Sequence, residues 1–254
     1  MKKVYKVRNI TIGAGKPKVI VPIVGKTREE IIAKANEIDY KRVDLVEWRV
    51  DFYEYVFEMD KVVTLLSELR AIMQETPMIF TFRTSKEGGE KEIDLSTYTL
   101  LNKVVAETGY VDIIDIEIFS GDEIVMENID NIHKAGKLVI ASNHDFNKTP
   151  SEEELIQRMC KMQEMNADIP KIAMMPQNTQ DVITLLSATN RMFTEFADRP
   201  IVTMSMSGKG VISRLSGEVF GSAMTFGAVG KVSAPGQMPV EKLNNVLDIL
   251  SESL

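Results

Sequence analysis

Residues 137–175 read KLVIASNHDFNKTPSEEELIQRMCKMQEMNADIPKIAMM. The run at 137–144 is short, apolar and rich in residues that favour a buried strand, and 170–175 is a second such run. Between them Ser151, with Glu154 three positions on, has the pattern of a capping box, and the apolar residues that follow recur at helical spacing. Strand, helix and strand in that order make a βαβ unit, whose strands run parallel.

Outward from this stretch the same unit recurs at intervals of roughly thirty residues. Strands are predicted at 19–24, 43–49, 77–83, 111–117, 137–144, 170–175, 200–206 and 222–229. Helices are predicted from Thr27, at 60–75, 94–109 and 121–134, from Ser151, at 178–196 and 239–254, with a shorter one at 210–220. Eight such units in 254 residues predict a single α/β domain over residues 1–254, a (β/α)₈ TIM barrel. An open dinucleotide-binding sheet is disfavoured, because no Gly-x-Gly-x-x-Gly follows the first strand. Residues 5–12 alternate loosely and predict a short N-terminal β-hairpin closing the bottom of the barrel.

Composition narrows the function classes. The chain is 44% hydrophobic and 26% charged, as a globular protein with an ample core is. A net charge of -7 argues against nucleic acid or an anionic membrane as partner. The one cysteine, Cys160, forms no internal disulfide, and residues 1–13 lack the apolar stretch of a secretory signal. A cytoplasmic protein is expected. With only His133 and His144, a multi-histidine metal centre is disfavoured. His133, in a helix, is expected at the surface.

Alternation of side chains along a strand tests where chemistry could gather. If Leu45 points inward, so do Glu47 and Arg49. By the same parity Ile79 carries Thr81 and Arg83 inward, Ile113 carries Asp115 and Glu117, and Ile140 carries Ser142 and His144. Lys171 shares a face with Ala173 and Met175, and Val202 with Met204 and Met206. Singly these residues have bland readings: Glu47 with Arg49 as a structural ion pair, Asp115 and Glu117 as scaffold partners of a lysine. Seven charged or ionisable groups converging on one interior are harder to explain, because buried charge is costly unless paired or met by a charged ligand.

Lys171 is the most informative of them. A lysine inside the strand Ile169-Pro170-Lys171-Ile172-Ala173-Met174 must either snorkel or sit among polar neighbours; desolvation and nearby arginines would favour the neutral amine that attacks a carbonyl, while carboxylates would oppose it. His144 ends a strand, the place expected of a general acid and base. Beyond the seventh strand Arg214 can bind a carboxylate with its two-pronged guanidinium, and Ser233 and Gln237 can hydrogen-bond hydroxyls. The segment 208–217 also reads as an ordinary solvated loop.

Together these motifs resemble the type I 3-dehydroquinate dehydratases, enzymes of the shikimate pathway, almost end to end. The resemblance rests on Glu-Trp-Arg-Val-Asp at 47–51, Phe-Thr-Phe-Arg-Thr at 80–84 with Glu87 beyond, and Asp-Ile-Glu at 115–117. It continues through His-Asp-Phe at 144–146 before Thr149 and Pro150, Lys-Ile-Ala at 171–173, Arg214 and Ser-Ala-Pro-Gly-Gln at 233–237. It implies a homodimeric barrel in which Lys171 forms a Schiff base with the C3 ketone of 3-dehydroquinate. It further implies that His144 takes the C2 proton, that Glu87 orients His144, and that Arg214 holds the substrate carboxylate. Glu47, Arg49, Arg83, Ser233 and Gln237 are implied to contact hydroxyls or support the site, and Met204, Met206 and Phe226 to form its apolar wall. No metal, nicotinamide or pyridoxal cofactor is implied. Two rivals keep part of this set: a class I aldolase, which also forms an imine, and a noncatalytic barrel that binds a small anion.

Overall fold

Strand periodicity sorts the apolar residues into two buried shells. The structure, a computed structural model, describes residues 2–230 and 236–254. Eight parallel strands form the barrel wall: β3 (Lys18–Ile23), β4 (Leu45–Arg49), β5 (Met78–Thr81), β6 (Ile113–Glu117), β7 (Leu138–Asp145), β8 (Ile169–Met174), β9 (Val202–Ser205) and β10 (Met224–Ala228). They pair in chain order, and β10 returns to β3. The seam between β9 and β10 is the bridge Ile201–Ser222, across which Ala223 N donates to Ile201 O and Thr203 N to the Ser222 hydroxyl. The predicted seventh and eighth strands are therefore shorter than 200–206 and 222–229, because a side-chain oxygen replaces part of the ladder.

The helices that follow the strands are α1 (Arg28–Glu37), α2 (Met59–Met73), α3 (Leu95–Glu107), α4 (Asp122–Lys134), α5 (Glu152–Glu164), α6 (Thr179–Arg191), α7 (Val211–Leu215), α8 (Gly217–Phe220) and α9 (Val240–Glu252). Thr27 with Glu30 and Asn178 with Asp181 make complete capping boxes on α1 and α6. On α5 only half of the predicted box forms. Ser151 accepts from Glu154 N, but the Glu154 carboxylate is drawn to Arg158 one turn on. Helix α2 begins at Met59 with no side-chain cap, so Asp60 lies in its first turn instead of opening it. The predicted helix at 210–220 is split into α7 and α8.

One shell, made of outward residues such as Val21, Val46, Trp48, Phe80, Ile116 and Ile172, packs against helix faces such as Leu65, Leu69 and Leu185. The other fills the barrel itself: Ile20, Leu45, Ile79, Ile113, Ile140, Ile169, Val202 and Met224, one or more from every wall strand. The antiparallel hairpin of β1 (Tyr5–Val7) and β2 (Ile10–Ile12) adds Val7 and Ile12 to this inner shell, closing the bottom as predicted. His133 departs from expectation. It is half-buried, its Nε2 2.8 Å from Asp168 Oδ2 at the entrance to β8. A last strand, β11 (Met238–Pro239), was not predicted; it runs parallel to the end of β10 and leads into α9. Among the described residues no helix is long and apolar enough to cross a membrane.

Candidate active site

Above the inner apolar layer the same parity turns polar. Lys171 rises from β8 beside Ser142 of β7 and Val202 of β9, and His144 pairs in register with Ala173, two residues nearer the mouth. Both line one cavity at the C-terminal end of the barrel, with about 860 Å³ of free space. Its wall includes Glu47, Arg49, Arg83, Glu87, Met204, Met206, Arg214, Phe226 and Gln237. Every described residue to which the resemblance gives a catalytic or substrate-contacting role thus lines one cavity, whereas Asp115 and Glu117 are buried and do not line it; Ser233 lies outside the described residues.

The buried charges are paired in a definite order. Lys171 Nζ donates to Asp115 Oδ2 at 2.8 Å and lies 3.9 Å from Glu47 Oε1. Asp115 Oδ1 accepts from Arg83 Nη2 at 2.7 Å and from the Ser142 hydroxyl at 2.6 Å. Burial pushes the Asp115 carboxyl up, but Arg83, Lys171 and these hydrogen bonds hold it below the usual carboxylate range. Arg83 also donates to Glu117, whose oxygens take the Thr84 N–H and hydroxyl. Burial lowers the Arg83 guanidinium, yet Asp115, Glu117 and Glu87 outweigh it and raise it above its ordinary value. The suggested pair of Glu47 with Arg49 does not form. Arg49 is held by both oxygens of Asp51, while Glu47 accepts from the Thr81 hydroxyl at 2.9 Å and keeps its place beside Lys171.

His144 is set by Glu87, which sits in the turn Ser85–Glu87 after β5. Glu87 Oε2 accepts from the His144 backbone N–H at 2.9 Å and lies 3.0 Å from Nδ1. A carboxylate there accepts, so Nδ1 carries the hydrogen and Nε2 is the basic nitrogen. Burial, with Arg83, Lys171 and Arg49, lowers the imidazole well below its ordinary value, favouring the neutral base. Glu87 is pushed up to about 7 by burial, against the pull of Arg83. The turn depends on Gly88: its φ is 83°, and a Cβ there would come within 2.4 Å of the Phe146 ring.

Arg214 projects from α7, so the segment at 208–217 is not simply a solvated loop. The residue is 2% exposed, and burial lowers its guanidinium to about 10. Phe226 faces Lys171, its ring centre 4.9 Å from Nζ. Sequence reasoning missed Phe52, Gly88, Glu90 and Phe146 on the wall and the anchoring role of Asp51. Phe146 and Asp51 stood inside the motifs quoted above, whereas Phe52 and Glu90 follow strand ends, where parity gives no direction.

The family model described as type I 3-dehydroquinase matches residues 19–253. A 3-dehydroquinate dehydratase of Clostridioides difficile (strain 630) is 55% identical over 254 residues, all of both chains. A crystal structure of a type I 3-dehydroquinate dehydratase from Clostridium difficile, with covalently modified comenic acid, has a TM-score of 0.97 at 55% identity, covering 100% of this chain and 99% of that one. The 3-dehydroquinate dehydratase of Geobacillus kaustophilus HTA426 has a TM-score of 0.95 at 35% identity, with 99% of each chain covered.

Proposed function

The chain belongs to the type I 3-dehydroquinase family, and from that premise we propose that it converts 3-dehydroquinate to 3-dehydroshikimate through a Schiff base on Lys171. The activity is that of a carbon–oxygen hydro-lyase, 3-dehydroquinate dehydratase. The observation that carries the mechanism is that a buried amine and a neutral imidazole, on neighbouring strands, open onto one cavity.

The steps follow from what each group can do. The Lys171 amine adds to the C3 ketone and water leaves, giving an iminium. A ketone makes the C2 hydrogen only modestly acidic; the iminium draws in the electron pair left when His144 Nε2 takes that proton. The resulting enamine expels the C1 hydroxyl, and His144 returns its proton to it as water, on the same face. Hydrolysis of the new iminium frees the product and the amine, so one water is lost overall. Arg214 holds the substrate carboxylate, and Glu47, Arg49, Arg83, Ser233 and Gln237 meet its hydroxyls or brace those that do. Met204, Met206 and Phe226 form an apolar wall that keeps bulk water from the imine. Residues 1–254 act as one catalytic domain in a cytoplasmic homodimer; sedimentation tests the assembly, and a monomer at working concentration would remove the dimer without touching the chemistry.

Borohydride reduction in the presence of 3-dehydroquinate is the deciding experiment. A covalent mass on Lys171, absent in Lys171→Ala, is expected, together with the ultraviolet absorbance of a conjugated enone before reduction. Folded protein that gains neither mass nor absorbance would overturn the reading.

A further inference from the structure

Behind His144, away from the substrate cavity, a second pair of residues acts on Glu87. Asn143, on the helix-facing side of β7, donates from Nδ2 to Glu87 Oε1 at 3.0 Å. Its own Oδ1 accepts from Arg158 Nη1 of α5 at 2.8 Å. Arginine has donors only, so Arg158 dictates which end of the amide faces it and which faces Glu87. A donor on Oε1 and two on Oε2 then leave Glu87 no favourable role but acceptor.

We propose that Arg158 and Asn143 are positioning residues, a relay of fixed hydrogen-bond direction that keeps Glu87 ionised and therefore keeps the hydrogen of His144 on Nδ1. The relay rests on the reading of Glu87 and His144 given above. Neither residue is among those lining the substrate cavity. Arg158 is itself anchored by Glu154 and lies over the Phe119 ring, centre 5.7 Å away, so its guanidinium arrives already oriented.

The charges facing the pair determine the direction of the effect. Glu87 sees Arg83 at 3.6 Å and Glu117 from β6, and shares its outer crevice with Lys86 and Glu92. His144 sees Arg83, Lys171 and Arg49. Arg83 already pulls the Glu87 carboxyl down, yet burial and Glu117 bring it near neutrality. Loss of one more donor makes Glu87 bind a proton at higher pH. The imidazole then loses the acceptor that fixes its tautomer, and activity falls sooner on acidification.

The test compares pH profiles of kcat/KM for the wild type, Arg158→Leu, Arg158→Lys, Asn143→Leu and the double variant Asn143→Leu/Arg158→Leu, with 3-dehydroquinate as substrate. In Arg158→Leu the acid limb is expected to move up by about one pH unit, a tenfold loss below it, with KM within about twofold. Arg158→Lys, which still only donates, restores most of the limb. In the Asn143→Leu background, Arg158→Leu adds nothing, because the arginine acts only through the amide. Limbs that coincide for wild type and Arg158→Leu overturn the proposal, as does an Arg158→Leu shift that persists undiminished without Asn143. Arg158 lies on the outer helix with 18% of its side chain exposed, less buried than Asn143, so its variants decide the matter even where Asn143→Leu fails to fold. A wild type with no dehydratase activity would sink the catalytic reading instead, before any variant is compared.

Discussion

Glu87 is asked to stay charged in a place that discourages charge. Burial lifts its carboxyl from 4.5 to about 7, although three N–H donors and Arg83 all favour the ionised form. Between those two values the folded chain holds a proton that the unfolded chain has released, so stability falls as pH rises through this window. Glu87→Gln removes the dependence. Relative to wild type, the variant should gain about 3 kcal/mol between pH 5 and pH 8 in urea melts, whatever constant offset the misfit of its amide adds. It should also lose most of its activity. A constant difference across the window would show that Glu87 is ionised throughout. At the carboxylate end of the proposed substrate, Arg214→Ala should raise KM by at least about tenfold, as expected for losing a charged hydrogen-bonding partner, with a smaller change in kcat. Equal loss in kcat alone would place Arg214 elsewhere in the cycle. Strand parity made Lys171, His144, Arg83 and Glu47 legible from sequence, because period two fixes which way a strand residue points. Asn143 and Arg158 were not legible: one points outward, the other lies on a helix, and their meeting is a tertiary contact.

Among the elements, the entrances to alternate strands repeat one device. The first N–H of β7 on the side facing β8, Val139 N, donates to Asp168 before β8; Val19 N at β3 donates to Asp44 before β4, and Met78 N at β5 to Asp112 before β6. In a staggered parallel wall these N–H groups begin before the neighbouring carbonyl ladder does, and a carboxylate fills the place. The three sites differ in how much else they hold. Asp112 also takes Arg70 at 2.8 Å and Arg8 of the hairpin turn at 2.7 Å, whereas Asp44 serves the strand alone among the side-chain bonds found. Asp112→Ala should therefore cost about 2–4 kcal/mol and Asp44→Ala about 1 kcal/mol, with kcat/KM intact in both at temperatures where they are folded. Chemical denaturation measures this, and equal losses would mean that the arginines at Asp112 contribute nothing. The tripeptides Val-Asp-Leu at 43–45, Val-Asp-Ile at 111–113 and Ala-Asp-Ile at 167–169 are visible in the sequence, but their common job depends on register between strands, which one sequence does not display. Helix starts were more legible, since capping is local: Thr27, Asp94 and Ser151 each accept the N–H three residues on.

At the scale of the whole molecule, the barrel separates what holds it together from what it does. The inner shell is apolar at the bottom, where Val7 and Ile12 cover Ile20, Leu45, Ile79 and Ile113, and polar at the top, where Lys171 and His144 meet the cavity. Stability and chemistry should then respond to different ends of the same cylinder. Ile12 is fully buried, so Ile12→Ala leaves a void beneath the lowest layer and should cost about 2–4 kcal/mol, lowering Tm by on the order of 10 °C. Below that melting point kcat and KM should match the wild type, because the hairpin residues are not among those lining the cavity. Met204→Ala, in the same inner cluster but on the cavity wall, should lower kcat/KM more than Ile12→Ala does, since it admits water beside Lys171. Thermal melts paired with kinetics on the two variants decide it. A drop in kcat for Ile12→Ala in fully folded protein would mean that the interior transmits strain from bottom to mouth, and that the closing hairpin tunes the amine as well as sealing the barrel beneath it.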